Sequence, residues 1–202
     1  MEKIKIFNNS ISGRQLEHTV EVLKDGGVVV LPTDTLYAIT CDALNTKAIE
    51  KVCKIKGINP EKTNLSIICS DISMVSDYAK LDNNAFRLLK DNTPGPFTFL
   101  LRASSSLPRA FKGRKVVGVR IPDNPAIRDI VAALGNPLLT TSITFHDDDY
   151  AINPELIGET YEPIADLMIM GDEGHLSPSA IIDCTGPFPE IVREGPVSVR
   201  GL

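Results

Sequence analysis

The chain has 202 residues, 43% of them apolar and 23% charged, and a formal net charge of −5. That length and composition suit one well-buried domain, and the charge excludes a uniformly basic nucleic-acid binder while leaving local basic patches open. No segment has the apolar length a bilayer span needs, and the N-terminus lacks the continuous apolar stretch of a signal peptide, so a cytoplasmic protein with no membrane partner is expected.

Met1 to Phe7 alternates charged and apolar residues, as a strand does. Ser12 and Gln15 form a capping box, Leu16, Val20 and Leu23 mark the face of the helix behind it, and Gly26-Gly27 stops it. Gly27 to Leu31 is a continuous apolar strand, the pattern of one covered on both faces. It runs into Pro32-Thr33-Asp34-Thr35-Leu36-Tyr37, a loop rich in hydroxyls with one carboxylate and one phenol. Loops at the ends of buried strands are where α/β proteins place their chemistry. Asn45 caps a second helix that ends at Gly57, and Leu65 to Cys69 reads as a strand. Asp71 and Asp82 open two more helices.

Thr93-Pro94-Gly95-Pro96 breaks the chain before a strand from Phe97 to Leu101. The strand Val116 to Ile121 places Val117, Val119 and Ile121 on one face, and Gly118 and Arg120 on the other. Asn124-Pro125 is an N-cap with proline at N1, followed by a helix face of Ile127, Ile130, Val131 and Leu134. Pro137 to Ser142 reads as a strand ending in hydroxyls, and His146 to Tyr150 as an exposed acidic loop. Leu167 to Met170, Ala180 to Cys184 and Glu190 to Arg193 complete the series. The interleaving gives one α/β domain over residues 1–202, built on a mixed, twisted sheet.

The chemistry-bearing residues favour a small anionic or zwitterionic ligand. Lys54, Lys56 and Lys62 surround a helix end, where they serve either the last-turn carbonyls or a phosphate. Arg120 stands at a strand end. Thr140-Thr141-Ser142 and Ser177-Pro178-Ser179 are hydroxyl clusters that cap turns or bind phosphate oxygens. Arg193 is either a surface residue or a second anion clamp. There is no P-loop, no dinucleotide fingerprint and no nucleophile elbow. Cys41, Cys53, Cys69 and Cys184 have no zinc spacing and read as buried thiols, and His18, His146 and His175 are scattered, so no metal site is expected.

Several of these pieces, taken in order, resemble the YrdC/YciO family: Pro32 to Tyr37, Lys56-Gly57, Pro94 to Thr98, Gly118 to Pro122, Thr141-Ser142, Ser177 to Ser179 and Val192 to Gly195. The resemblance implies a twisted α/β sheet around a large concave pocket. It implies a nucleotidyltransferase that makes threonylcarbamoyl-AMP from ATP, L-threonine and bicarbonate, with Mg2+ on the phosphates, for threonylcarbamoyladenosine modification of tRNA. It also implies double-stranded RNA binding through the concave surface.

By resemblance, Thr33, Thr35 and Tyr37 line the threonine end, Lys56 and Arg120 hold carboxylate or phosphate oxygens, and Ser142, Ser179 and Arg193 contact the nucleotide, with Lys56, Arg120 and Ser142 as the catalytic set. The K-x-R and S-x-N motifs of the catalytic members are degenerate here, with Ile58 in place of arginine and Thr144 in place of asparagine. Ala38 and Ala180 are further departures, and the pattern is closer to the YciO branch. Three readings follow: an adenylating enzyme, a non-catalytic double-stranded RNA or tRNA binder, and a sensor using the same pocket. An enzyme needs Thr33, Tyr37, Lys56, Arg120 and Ser142 in one cleft. An RNA binder needs Lys54, Lys56, Lys62, Lys112, Arg114 and Lys115 on one face. Lys56→Ala and Arg120→Ala are expected to weaken binding without unfolding the chain.

Overall fold

The computed structural model describes residues 1–59, 65–107, 111, 115–144 and 148–202. Within them, eleven strands form one mixed sheet. Its first half is laid down around β1 (Glu2–Lys5), β2 (Val29–Leu31) and β3 (Ala38–Asp42), with α1 (Gly13–Lys24) between the first two and α2 (Thr46–Lys56) after the third. β4 (Ser66–Ile68), α3 (Ile72–Tyr78), the short β5 (Ala79–Lys80), α4 (Asn83–Asn92), β6 (Phe97–Ala103), β7 (Val116–Arg120), α5 (Pro125–Leu134) and β8 (Leu138–Ser142) follow. The chain closes with α6 (Asp148–Ile152), α7 (Pro154–Tyr161), β9 (Leu167–Met170), β10 (Ala180–Asp183) and β11 (Glu190–Arg193). The order across the sheet is β1-β9-β2-β3-β8-β4-β7-β6-β10-β11, with β5 pairing β6.

The caps form where the sequence puts them. The Ser12–Gln15 capping box is complete, and Asn45, Asp71, Asp82 and Asn124 each accept a bond from the first turn of their helix. Gly57 and Gly135 end α2 and α5 in the left-handed conformation that glycine adopts without steric cost.

Strand alternation divides the apolar residues between two cores. Val29, Leu31, Ile68, Leu138, Leu167 and Ile169 face α1 and α5, which pack on each other. Val30, Ile39, Ile67, Leu139, Met168, Phe99 and Val119 face the opposite layer, which includes α2 and α4. Each such side chain contributes about 1.5–3 kcal/mol relative to its exposed state. No described residue of β6, β7, β10 or β11 joins the α1–α5 core. On that half of the sheet one face is not covered by α1 and α5, and it carries Gly118 and Arg120, both buried, which pair with Ser66 and Ile68. A Cβ on Gly118 would collide with the Ser66 hydroxyl and approach Thr98 Cγ2 to 3.3 Å, so the glycine keeps this face clear.

One sequence expectation changes, and two elements appear where the sequence reading had none. Of the acidic loop, residues 146 and 147 lie outside the described residues, as do Lys62, Lys112 and Arg114, but Asp148–Ile152 is helical. The helix after it, α7, is announced by Asn153-Pro154, the cap-plus-proline signature also used by α5, with Asn153 accepting from Glu155 and Leu156. Ala38–Asp42 is a fully buried central strand for which the sequence reading had no element; its mixed composition hides it.

All four cysteines are buried, and none is in a disulfide. Burial pushes the Cys41 and Cys69 thiols well above their ordinary range and Cys184 up to about 11, so few thiolates form near neutrality. A thiol titration is expected to find no rapidly reacting cysteine in the native protein and four after denaturation.

Candidate functional site

The loop between β2 and β3 is organised by its own hydroxyls. Thr33 Oγ1 donates to the carbonyl of Leu36 at 2.7 Å and accepts from the amide of Thr35 at 3.0 Å. Its single hydrogen is thereby used, so in its 3.0 Å contact with Thr35 Oγ1 the donor is Thr35. Thr35 Oγ1 in turn accepts from Arg120 Nη2 at 3.0 Å. A directed chain runs from the guanidinium through two hydroxyls to a backbone carbonyl, and such chains strengthen one another in a dry interior.

Arg120, at the end of β7, also donates from Nη2 to Asp34 Oδ1 at 2.8 Å. The side chains of this pair are only 6% and 10% exposed. Asp34 Oδ2 accepts the amide of Asp123 at 2.9 Å, so both its oxygens are satisfied. Arg120 Nε is buried without a hydrogen-bond partner among the described residues. Burial lowers the guanidinium pKa, Asp34 opposes that shift, and Arg193 adds to it as a like charge, which places the two arginines in one field.

The second group surrounds Ser179. Its hydroxyl is 2.8 Å from Thr98 Oγ1, and both residues are buried. Arg193 straps the same serine, donating from Nε and Nη2 to its carbonyl at 3.0 and 2.8 Å.

The third group joins two segments far apart in sequence. Lys56 Nζ donates to the carbonyl of Ser142 at 2.7 Å and to Thr144 Oγ1. Burial lowers the pKa of this half-buried amine, and no described carboxylate lies within ion-pairing distance of it. Ile143, between its two acceptors, donates its amide to the carbonyl of Tyr37 at 3.0 Å. The Ser142 hydroxyl itself makes no hydrogen bond to a described residue, and the side chain is exposed.

Beside the first group lies a cavity of about 600 Å3. Thr33 and Asp34 line it together with Asp123, Asp172 and Glu173. Four carboxylates and no described lysine or arginine form its wall, so the basic groups stand behind or beside it. Of the eight candidate residues read from sequence, Thr33 alone lines this cavity. Thr35 and Tyr37 are buried and bonded internally, Arg120 is held behind Asp34, and Lys56, Ser142, Ser179 and Arg193 form the two flanking groups.

Sequence reasoning passed over the partner role of Asp34 and the contributions of Asn9, Asp123 and residues 172–176. One signal was available for Asn9. Asn8 and Asn9 both have φ of +51°, a conformation that asparagine tolerates better than most residues. Asn9 then joins the capping residue Asn124, which donates from Nδ2 to its Oδ1 at 3.0 Å.

The family model described as "Telomere recombination", Sua5_yciO_yrdC, matches residues 21–195. The chain belongs to the Sua5/YciO/YrdC family. It is 38% identical over 190 residues to the uncharacterized protein YciO of Escherichia coli K12, covering 93% of this chain and 92% of that one. The E. coli YciO crystal structure superposes with a TM-score of 0.90 at 36% identity, covering 99% and 98% of the two chains. A Methanocaldococcus jannaschii protein provisionally named threonylcarbamoyl-AMP synthase is 30% identical over 201 residues, 99% of this chain and 95% of that one. P. abyssi Sua5, solved with L-threonine, shares the fold at a TM-score of 0.85 and 22% identity, over 96% of this chain and 58% of that longer one. The single mixed α/β architecture expected from sequence is thus the fold of this family. Of the residues compared with K-x-R and S-x-N on the strength of the resemblance, Lys56 and Thr144 are in direct contact, while Ile58 packs on the edge of the core.

One prediction arises from Tyr37. Its phenol is raised to about 12, first by burial. The folded value lies above the unfolded one near 10.0, so the contribution is present below pH 10 and lost as the pH rises from there toward 12. Alkaline denaturation of the wild type is expected to show this loss, and Tyr37→Phe is expected to lack it.

Proposed function

We propose that this chain binds a nucleotide and a small amino acid and joins them in an adenylate-forming reaction of the threonylcarbamoyl-AMP synthase type. In that reaction the amine of threonine and bicarbonate form a carbamate with loss of water, a carbamate oxygen attacks the α-phosphorus of ATP, and pyrophosphate leaves. The observation that carries this reading is the convergence on one sheet face of Arg120, held in place by Asp34 and Thr35, with Arg193 near enough to share its field. Preset cations beside a cavity with acceptor walls suit a ligand bearing both phosphate or carboxylate oxygens and donor groups. The similarity to a protein named for this activity supports the choice of reaction.

Lys56 supplies a further positive charge, its amine fixed by the Ser142 carbonyl and the Thr144 hydroxyl. Among the described residues no group of three His, Cys, Asp or Glu side chains is arranged to hold a metal. Mg2+ would therefore enter on the triphosphate, as it commonly does, and when bound would neutralise phosphate charge. Double-stranded RNA binding is the second reading; of the six cations it needs on one face, Lys62, Lys112 and Arg114 lie outside the described residues.

The test incubates the purified chain with ATP, Mg2+, bicarbonate and L-threonine and follows pyrophosphate and threonylcarbamoyl-AMP by mass spectrometry. Product that requires both threonine and bicarbonate supports the reading. ATP bound without product under these conditions contradicts the reaction and leaves a binding role.

A further inference from the structure

Tyr37 has no exposed surface, and its phenol is fully engaged. The O–H donates to the carbonyl of Asp172 at 3.0 Å, and the oxygen accepts from the amide of Gly171 at 3.1 Å. These bonds seize the first two residues after β9. The same stretch is tied down twice more, by the Gly174 amide on the carbonyl of Ile152 at 2.8 Å and the His175 amide on the carbonyl of Thr35 at 3.3 Å. Packing leaves it little slack. A Cβ on Gly171 would lie 3.0 Å from Pro32 Cγ, and one on Gly174 would lie 3.0 Å from Cδ2 of the Tyr37 ring. Residues 172–177 then supply Asp172, Glu173, His175, Leu176 and Ser177 to the cavity wall. On its other side, the Tyr37 carbonyl holds the amide of Ile143, next to the carbonyl that takes Lys56.

We propose that Tyr37 is a positioning residue: its phenol sets the cavity wall formed by residues 171–177, and it does not touch the ligand. This rests on the cavity being the ligand site. The phenolic oxygen is the discriminating atom. A tyrosine serving only the core would lose nothing in affinity when that oxygen is removed, since phenylalanine keeps the ring. A positioning tyrosine would release the loop, because the Gly171 amide and the Asp172 carbonyl lose their shared partner.

The experiment compares wild type, Tyr37→Phe and Gly174→Ala in the full chain. Amide hydrogen exchange reports the loop, and calorimetric titrations with Mg·ATP and with L-threonine report affinity. For Tyr37→Phe, faster exchange confined to residues 171–175 is expected, with affinity for at least one probe weaker by about fivefold or more, the scale of one neutral hydrogen bond. Gly174→Ala keeps the phenol and displaces the loop from the ring side, so the same affinity is expected to fall even if Tyr37→Phe folds poorly. Unchanged loop exchange in Tyr37→Phe overturns the proposal. So does a rise in exchange across the whole chain with affinity intact. If wild type binds neither probe, the functional reading fails by itself, and loop exchange alone then decides whether Tyr37 sets the wall.

Discussion

Arg120→Ala is expected to lower the free energy of unfolding by about 3–5 kcal/mol, the range for removing one partner of a buried ion pair. The reason is what remains. Asp34, with a side chain 10% exposed, keeps, among the described residues, only the Asp123 amide to offset its charge, and Thr35 Oγ1 loses its donor. The structure thus changes the expectation drawn from sequence, that this substitution would weaken binding and spare the fold. Urea denaturation of the single variants and of Arg120→Met/Asp34→Leu separates the terms. The double variant buries no charge and is expected to recover much of the loss. An Arg120→Ala protein within about 1 kcal/mol of wild type, the scale of a surface ion pair, would show that the pair is not acting as a buried one.

Lys56→Ala is expected to do the reverse, weakening Mg·ATP or L-threonine binding by about 10- to 100-fold, as for a hydrogen bond to a charged group, with a small change in stability. Lys56 is half-buried at the end of α2, and its two acceptors are a carbonyl and a hydroxyl that water can also serve. Calorimetry beside a melting curve reads both quantities, and unchanged affinity for both probes would remove Lys56 from the site. The pH dependence has a definite sign. Burial holds the amine below its ordinary 10.5, so the unfolded chain binds this proton more tightly. Wild type therefore gains stability relative to Lys56→Met as the pH climbs toward 10.5.

Much of the fold was legible because it is written in local chemistry. Ser12, Asn45, Asp71, Asp82 and Asn124 announce helices, and continuous apolar runs such as Val28 to Leu31 announce covered strands. What escaped was context-dependent. Ala38–Asp42 is a strand because it lies between β2 and β8, and nothing in Ala-Ile-Thr-Cys-Asp fixes that. The site was legible as residue types and not as partners. Thr33, Thr35 and Arg120 were picked out and do meet. Their hydroxyls are spent on one another, which no spacing discloses. Asp34 was visible in the sequence, but its pairing with Arg120 spans 86 positions. Residues 172–176 carry no motif, and they reach the cavity through bonds to Tyr37, Thr35 and Ile152.

The central claim is that the cavity beside the Arg120–Asp34 pair holds the ligand. A crystal structure of the chain grown with Mg·ATP and L-threonine tests it most directly. The account predicts a ligand in contact with Thr33, with its anionic groups within hydrogen-bonding reach of Arg120, Arg193 or Lys56. A well-ordered ligand elsewhere on the protein, with this cavity holding only solvent at saturating concentrations, would contradict it.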